Sequence, residues 1–126
     1  GHSDGDPVLH SITDAILGAC KMGDIGQMFS DKSKKFKNIR STVLLKQVLK
    51  LIKSEGYFIN NMDINIITQT PKIKNYKNKM INNIAKICEI SKSQINIKGK
   101  TTEKLGVIGK EKAIACEAIT SVIKYD

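Results

Sequence analysis

The chain has 126 residues, enough for one domain with a modest buried core, and carries a formal net charge of +9 from 21 basic and 12 acidic residues. All but one of the basic residues are lysine, Arg40 being the exception, and three Phe, three Tyr and no Trp accompany them. That basicity lacks the arginine forks and aromatic stacking platforms that usually accompany nucleic-acid recognition, while leaving a basic surface able to gather a small anionic ligand.

The first stretch, Gly1 to Lys21, holds both histidines, three acidic residues and a helix start. Asp4 and Asp6 suit an N-cap and Pro7 the first turn, so a helix is predicted from about Pro7. Val8, Ile12, Ala15, Ile16 and Ala19 recur at helical spacing as its apolar face, with His10 and Asp14, one turn apart, on the opposite side. An imidazole with a carboxylate one turn away is a common arrangement at metal sites, where the carboxylate fixes the tautomer; a surface His–Asp pair has the same spacing. A single histidine makes no zinc site, and no other Cys or His in the chain has ligand spacing to complete one.

Residues 22–37 read as a loop, with glycines at 23 and 26 and a lysine cluster at Lys32, Lys34, Lys35 and Lys37, long enough to be a functional loop. Asp24 can bond its own turn there, or face a ligand. Ser41 is expected to cap a second helix with Leu44, Leu45, Val48, Leu49 and Ile52 inward and Gly56 at C′. Residues 57–68 read as a strand with Ile64 and Ile66 on one face and Asp63, Asn65 and Ile67 on the other, leading into Gln69-Thr70-Pro71-Lys72. A third amphipathic helix is predicted from about Tyr76 to Ile90 with Met80, Ile84 and Ile87 on its core face, and a second strand over Ile95 to Lys98. Lys100 to Gly106 is a polar turn. Its Thr101, Thr102 and Glu103 pair hydroxyl donors with a hard oxygen ligand, or make a helix cap. Lys112 to Tyr125 is ambiguous, alanines favouring helix and the β-branched residues strand. Cys20, Cys88 and Cys116, odd in number and irregular in spacing, point to reduced structural thiols. No apolar run reaches membrane-spanning length.

Gly1-His2-Ser3-Asp4-Gly5-Asp6, His10, Asp14-Ala15-Ile16-Leu17-Gly18 and Gly23-Asp24-Ile25-Gly26 occur in that order. Met62 to Ile67, Gln69 to Lys72, Asn96-Ile97-Lys98 and Thr101 to Gly106 follow. Together these motifs make the chain resemble the 2-C-methyl-D-erythritol 2,4-cyclodiphosphate synthases of the non-mevalonate isoprenoid pathway, over nearly its whole length. The resemblance implies an α+β fold, a small mixed sheet packed with three helices, in a homotrimer built around a threefold axis. It makes the last segment a long strand. Residues 1–126 are expected to be one synthase domain lacking the family's preceding strand and hairpin, which carry an Asp-x-His pair and with it two of three zinc ligands.

The implied reaction is a phosphorus–oxygen lyase step that cyclises a nucleotide-diphosphate substrate and releases cytidine monophosphate. The implied cofactors are zinc on His10, with Asp14 behind it, and magnesium or manganese on Glu103. His2 and Thr101 would stabilise charge in the transition state. Ser3, Asp24, Ile25, Gly26, Phe29, Asp31, Thr102 and Lys110 would contact substrate, Asp24 through the sugar hydroxyls, and Gln69, Thr70, Pro71 and Lys72 would hold the cytosine. The chain departs from the family at Ser30, Lys100, Val107 and Lys110, where proline, threonine, phenylalanine and arginine are usual. The implied partners are the small-molecule substrate and two further copies of the chain, with no nucleic acid and no membrane. The lysine, asparagine and isoleucine bias fits an apicomplexan-type plastid stroma, the alternative being cytoplasm. The rival readings are a trimeric scaffold without activity and, behind it, a basic nucleic-acid-binding module.

Overall fold

The structure is a computed structural model and describes residues 5–28, 40–68, 73–100 and 114–125. In chain order the elements are α1 (Gly5–Ala19), the short α2 (Ile25–Met28), α3 (Ser41–Ser54), β1 (Tyr57–Ile67), α4 (Lys77–Cys88), β2 (Ile95–Lys100) and β3 (Ala115–Lys124). Single 3-10 turns at Ile73–Asn75 and Lys92–Gln94 precede α4 and β2.

The three strands form one mixed sheet in the order β2-β1-β3. β1 pairs in parallel with β2, Met62 opposite Ile95 through Ile67 opposite Lys100. The parallel pairing demands a crossover, and α4 supplies it. β3 runs antiparallel to β1 and slips register between Ile59 and Asn61, a bulge at Asn60. Gln94 Nε2 donates to the Ile59 and Asn60 carbonyls at 3.3 and 3.0 Å, so the bulge's acceptors are used by the turn that leads into β2.

Alternation along β1 settles the two faces of the sheet. Met62, Ile64 and Ile66 are buried beneath the helices together with Ile95 and Ile97 of β2, while Asp63, Asn65 and Ile67 look to the other side. Three helices cover the inner side: α1 lies over β3 and against α3, and α4 packs on β2 and α3. The buried core is continuous from Val8 and Ile12 through Leu45, Val48 and Ile52 to Met62, Ile84 and Ile97.

The α+β class and the mixed sheet agree with the sequence reading, and Lys112 to Tyr125 contributes a strand over Ala115–Lys124. Several details differ. α1 buries Leu9, Thr13 and Leu17 in addition to Val8, Ile12 and Ile16, and Cys20 just beyond it is buried too, whereas Ala19 is exposed. Wedged between a strand and a helix, α1 needs a wider apolar stripe than one row of the helical repeat gives. Thr13 sits in that stripe because its hydroxyl donates to the Leu9 carbonyl at 2.8 Å, which satisfies it internally. Arg40, in extended conformation and without a side-chain cap bond, takes the N-cap of α3, and Ser41 is its first, buried, helical residue. The last predicted helix is shorter than expected, over Lys77–Cys88, with Ile84, Ala85 and Cys88 buried and Met80 and Ile87 half-buried. The short α2 stands inside the stretch read as loop.

Candidate functional site

Of the residues singled out in the sequence, His10, Asp14, Asp24, Ile25 and Gly26 lie among the described residues. His2, Ser3, Phe29, Asp31, Gln69, Thr70, Pro71, Lys72, Thr101, Thr102, Glu103 and Lys110 lie outside them.

The local geometry starts at the end of α1. The Met22 N–H donates to the Leu17 carbonyl at 2.8 Å and the Lys21 N–H to the Gly18 carbonyl at 3.1 Å, with Lys21 itself left-handed at φ 56°. This is a Schellman turn, which uses the last carbonyls of the helix and reverses the chain. Met22 then packs against the core, and Gly23 at φ 82° extends the reversal. A side chain at Gly23 would also run into the amide of Gln27.

The reversal carries Asp24, Ile25 and Gly26 back alongside α1. Asp24 is the cap of α2: its Oδ1 accepts the Gln27 N–H at 2.8 Å and its carbonyl the Met28 N–H at 3.0 Å. Asp14, in the second half of α1, accepts the Ile25 N–H on its Oδ1, also at 2.8 Å. Asp14, Asp24 and Gly26 are exposed, and Ile25 is half-buried against the core. A Cβ on Gly26 would stand 3.3 Å from Asp24 Oδ1, so glycine leaves that carboxylate its space.

His10 is exposed one turn before Asp14 on the same side of α1. Among the described residues no hydrogen bond joins His10 to Asp14; the carboxylate is engaged with the Ile25 amide. An accessible imidazole fits zinc as one donor. Among the described residues no three His, Cys, Asp or Glu side chains converge, so His10 contributes a single ligand there.

Sequence reading missed the bond from Asp14 to Ile25 and the helix that it starts. The signal for the helix was present: Asp24 followed three residues later by Gln27 is the spacing of a capping box. The long-range bond had no such signal, since it depends on how sharply Lys21 and Gly23 turn the chain. Elsewhere, an open groove of about 620 Å³ lies between α3 and α4, with Lys46, Lys50, Lys53 and Lys86 around Leu49 and Cys88. None of the candidate site residues lines it.

Residues 1–123 match the YgbB family. A Pelagibacter ubique protein named bifunctional enzyme IspD/IspF is 75% identical over 126 residues, which are 100% of this chain and 34% of that protein. The Plasmodium falciparum 2-C-methyl-D-erythritol 2,4-cyclodiphosphate synthase, apicoplast, is 52% identical over 117 residues, 93% of this chain and 49% of that one. The chain thus spans about a third and about half the length of these two curated relatives. Among solved structures, the CDP complex of Plasmodium falciparum IspF superposes with a TM-score of 0.86 at 47% identity, covering 100% of this chain and 76% of that one.

Proposed function

The chain belongs to the YgbB family, and on that premise we propose that it converts 4-diphosphocytidyl-2-C-methyl-D-erythritol 2-phosphate to 2-C-methyl-D-erythritol 2,4-cyclodiphosphate with release of cytidine monophosphate. The observation that carries this reading is the folding of the Asp24-Ile25-Gly26 turn onto the helix of His10 through the bond from Ile25 to Asp14. A site that grips a nucleotide at its sugar and its diphosphate needs those two elements side by side.

In this reaction an oxygen of the substrate's own 2-phosphate attacks the β-phosphorus, the bond from that phosphorus to the bridging oxygen breaks, and cytidine monophosphate departs with the electron pair. No protein nucleophile takes part, so the chain's residues position and neutralise. The Asp24 carboxylate, exposed and fixed by its own turn, accepts the two sugar hydroxyls. Gly26 lets the sugar approach the backbone. Gln69, Thr70, Pro71 and Lys72 hold the cytosine, and Ser3, Phe29, Asp31, Thr102 and Lys110 complete the substrate contacts. His2 and Thr101 donate to the oxygens on which charge develops. His10 would hold zinc, and Glu103 magnesium or manganese, matching imidazole and carboxylate to borderline and hard cations. When bound, such cations neutralise the diphosphate.

A homotrimer with sites between neighbouring subunits belongs to the same proposal. The sheet face away from the helices supports it: Ile119 is 73% exposed, and Phe58, Ile123 and Tyr125 are exposed beside it. On that face Asn65 Oδ1 is buried without a partner among the described residues. For location we favour bacterial cytoplasm over a plastid, since the Pelagibacter relative stands at 75% identity and the apicoplast one at 52%.

The test is metal content and turnover together, on protein purified without chelator and incubated with the diphosphocytidyl substrate and magnesium. Near one zinc per chain with release of cytidine monophosphate is the expected result. A folded trimer with neither zinc nor release would instead identify a scaffold without activity.

A further inference from the structure

We infer that Asp14 is a positioning residue, whose carboxylate holds the Asp24-Ile25-Gly26 turn against α1 and thereby sets the spacing between the helix of His10 and the turn that receives the nucleotide's sugar. The inference rests on the proposed function for the identity of the ligand, and on the geometry alone for the link.

α2 has four residues, too few to hold itself together in water. The amide groups of its first turn have no partner within the helix and need acceptors from outside. Two carboxylates supply them. Asp24 takes the Gln27 N–H from within the turn, and Asp14 takes the Ile25 N–H from across the reversal. The first bond shapes the turn but leaves it free to pivot about Gly23. Among the described residues only the second fastens it to another element through a hydrogen bond, and it does so from a residue one helical turn beyond His10. Ile25 and Met28 add half-buried apolar contacts, which are non-directional and cannot fix where the Asp24 carboxylate points. The bond from Asp14 is directional and charge-assisted, so it can.

A role through Ile25 and a role through the His10 ring make different demands on residue 14. The first needs an acceptor oxygen, which asparagine retains; the second needs the negative charge, which asparagine lacks. Alanine removes both while keeping good helix propensity at an exposed site, so α1 should survive either change.

The experiment compares wild type, Asp14→Ala and Asp14→Asn by hydrogen exchange at the Ile25 amide, by calorimetric titration with CDP and magnesium, and by zinc content. Asp14→Ala is expected to lose Ile25 protection and to weaken CDP binding about tenfold with zinc content unchanged, and Asp14→Asn to rescue both protection and binding. An Asp14→Ala protein with wild-type exchange at Ile25 and wild-type CDP affinity overturns the positioning role. So does loss of zinc in both variants with CDP affinity kept, which would give Asp14 to His10. Wild-type protein that takes up no CDP overturns the functional reading, and exchange at Ile25 then still decides whether Asp14 holds the turn.

Discussion

Gly56 and Tyr125 close one end of the sheet on each other: the Tyr125 N–H donates to the Gly56 carbonyl at 2.8 Å, and a Cβ on Gly56 would stand 2.5 Å from the Tyr125 carbonyl oxygen. Gly56 ends α3 at φ 85° and starts β1, so one residue serves as helix terminator and sheet contact. Gly56→Ala should destabilise the protein by roughly 1–2 kcal/mol from the backbone conformation alone, with the overlap added. Urea unfolding reads the change, and an unaltered midpoint would contradict the close approach.

Lys21 makes the opposite case. It occupies the left-handed position of the Schellman turn that glycine usually fills, and it does so with a Cβ. Lys21→Gly should raise stability by roughly 0.5–1 kcal/mol, the relief of backbone strain exceeding the entropy that glycine adds to the unfolded chain. The same unfolding experiment checks it, with a fall in midpoint the outcome that sinks the idea. Gly23→Ala, by contrast, should be harmful, because that residue is left-handed and crowded by Gln27.

These turns mark where sequence reading reached its limit. The helices and strands were legible because their cause is local: the helical repeat of Leu44, Leu45, Val48, Leu49 and Ile52 is buried as expected, and the alternation of Asp63, Asn65 and Ile67 against Ile64 and Ile66 divides the sheet faces. Gly56 was legible as a C′ residue for the same reason. Arg40 at the cap of α3 was not, since tertiary burial of Ser41 overrode the usual capping preference. Thr13 in the core and the reach of Asp14 to Ile25 depend on where other elements lie, which no local pattern encodes. At the candidate site, the bond that joins the His10 helix to the Asp24 turn was not legible from the order of motifs.

Cys88 gives the fold an alkaline limit. Burial pushes its thiol up to about 12, and the Cys20 and Cys116 thiols are raised for the same reason. A thiol in the unfolded chain ionises near pH 8.5–9, so above that the unfolded state sheds a proton that the folded state keeps. The stabilisation is therefore complete below about pH 8.5 and is lost as pH rises towards the folded value, with a slope approaching about 1.4 kcal/mol per pH unit. Cys88→Ala should lower stability at neutral pH by opening a small cavity, yet flatten the alkaline decline relative to wild type. Parallel declines in the two proteins from pH 8 to 11 would rule this out.

Among the described residues, no helix covers the outer face of the sheet. In register with Asp63, Ile119 stands on the side away from the helices, and exposure of 73% in a single chain means that its removal costs the isolated fold little. If the face meets other copies, the same residue lies in a desolvated contact, where a charge is expensive. Ile119→Lys should thus leave the circular dichroism spectrum intact while converting a trimer to monomer in sedimentation. Turnover should vanish with the trimer if sites lie between subunits, and return in no monomeric fraction. A lysine variant that still sediments as a trimer would mean that the threefold contact avoids β3. A wild-type protein that is monomeric at micromolar concentration would leave the exposed row of Phe58, Ile119, Ile123 and Tyr125 facing water, and the threefold proposal would fall with it.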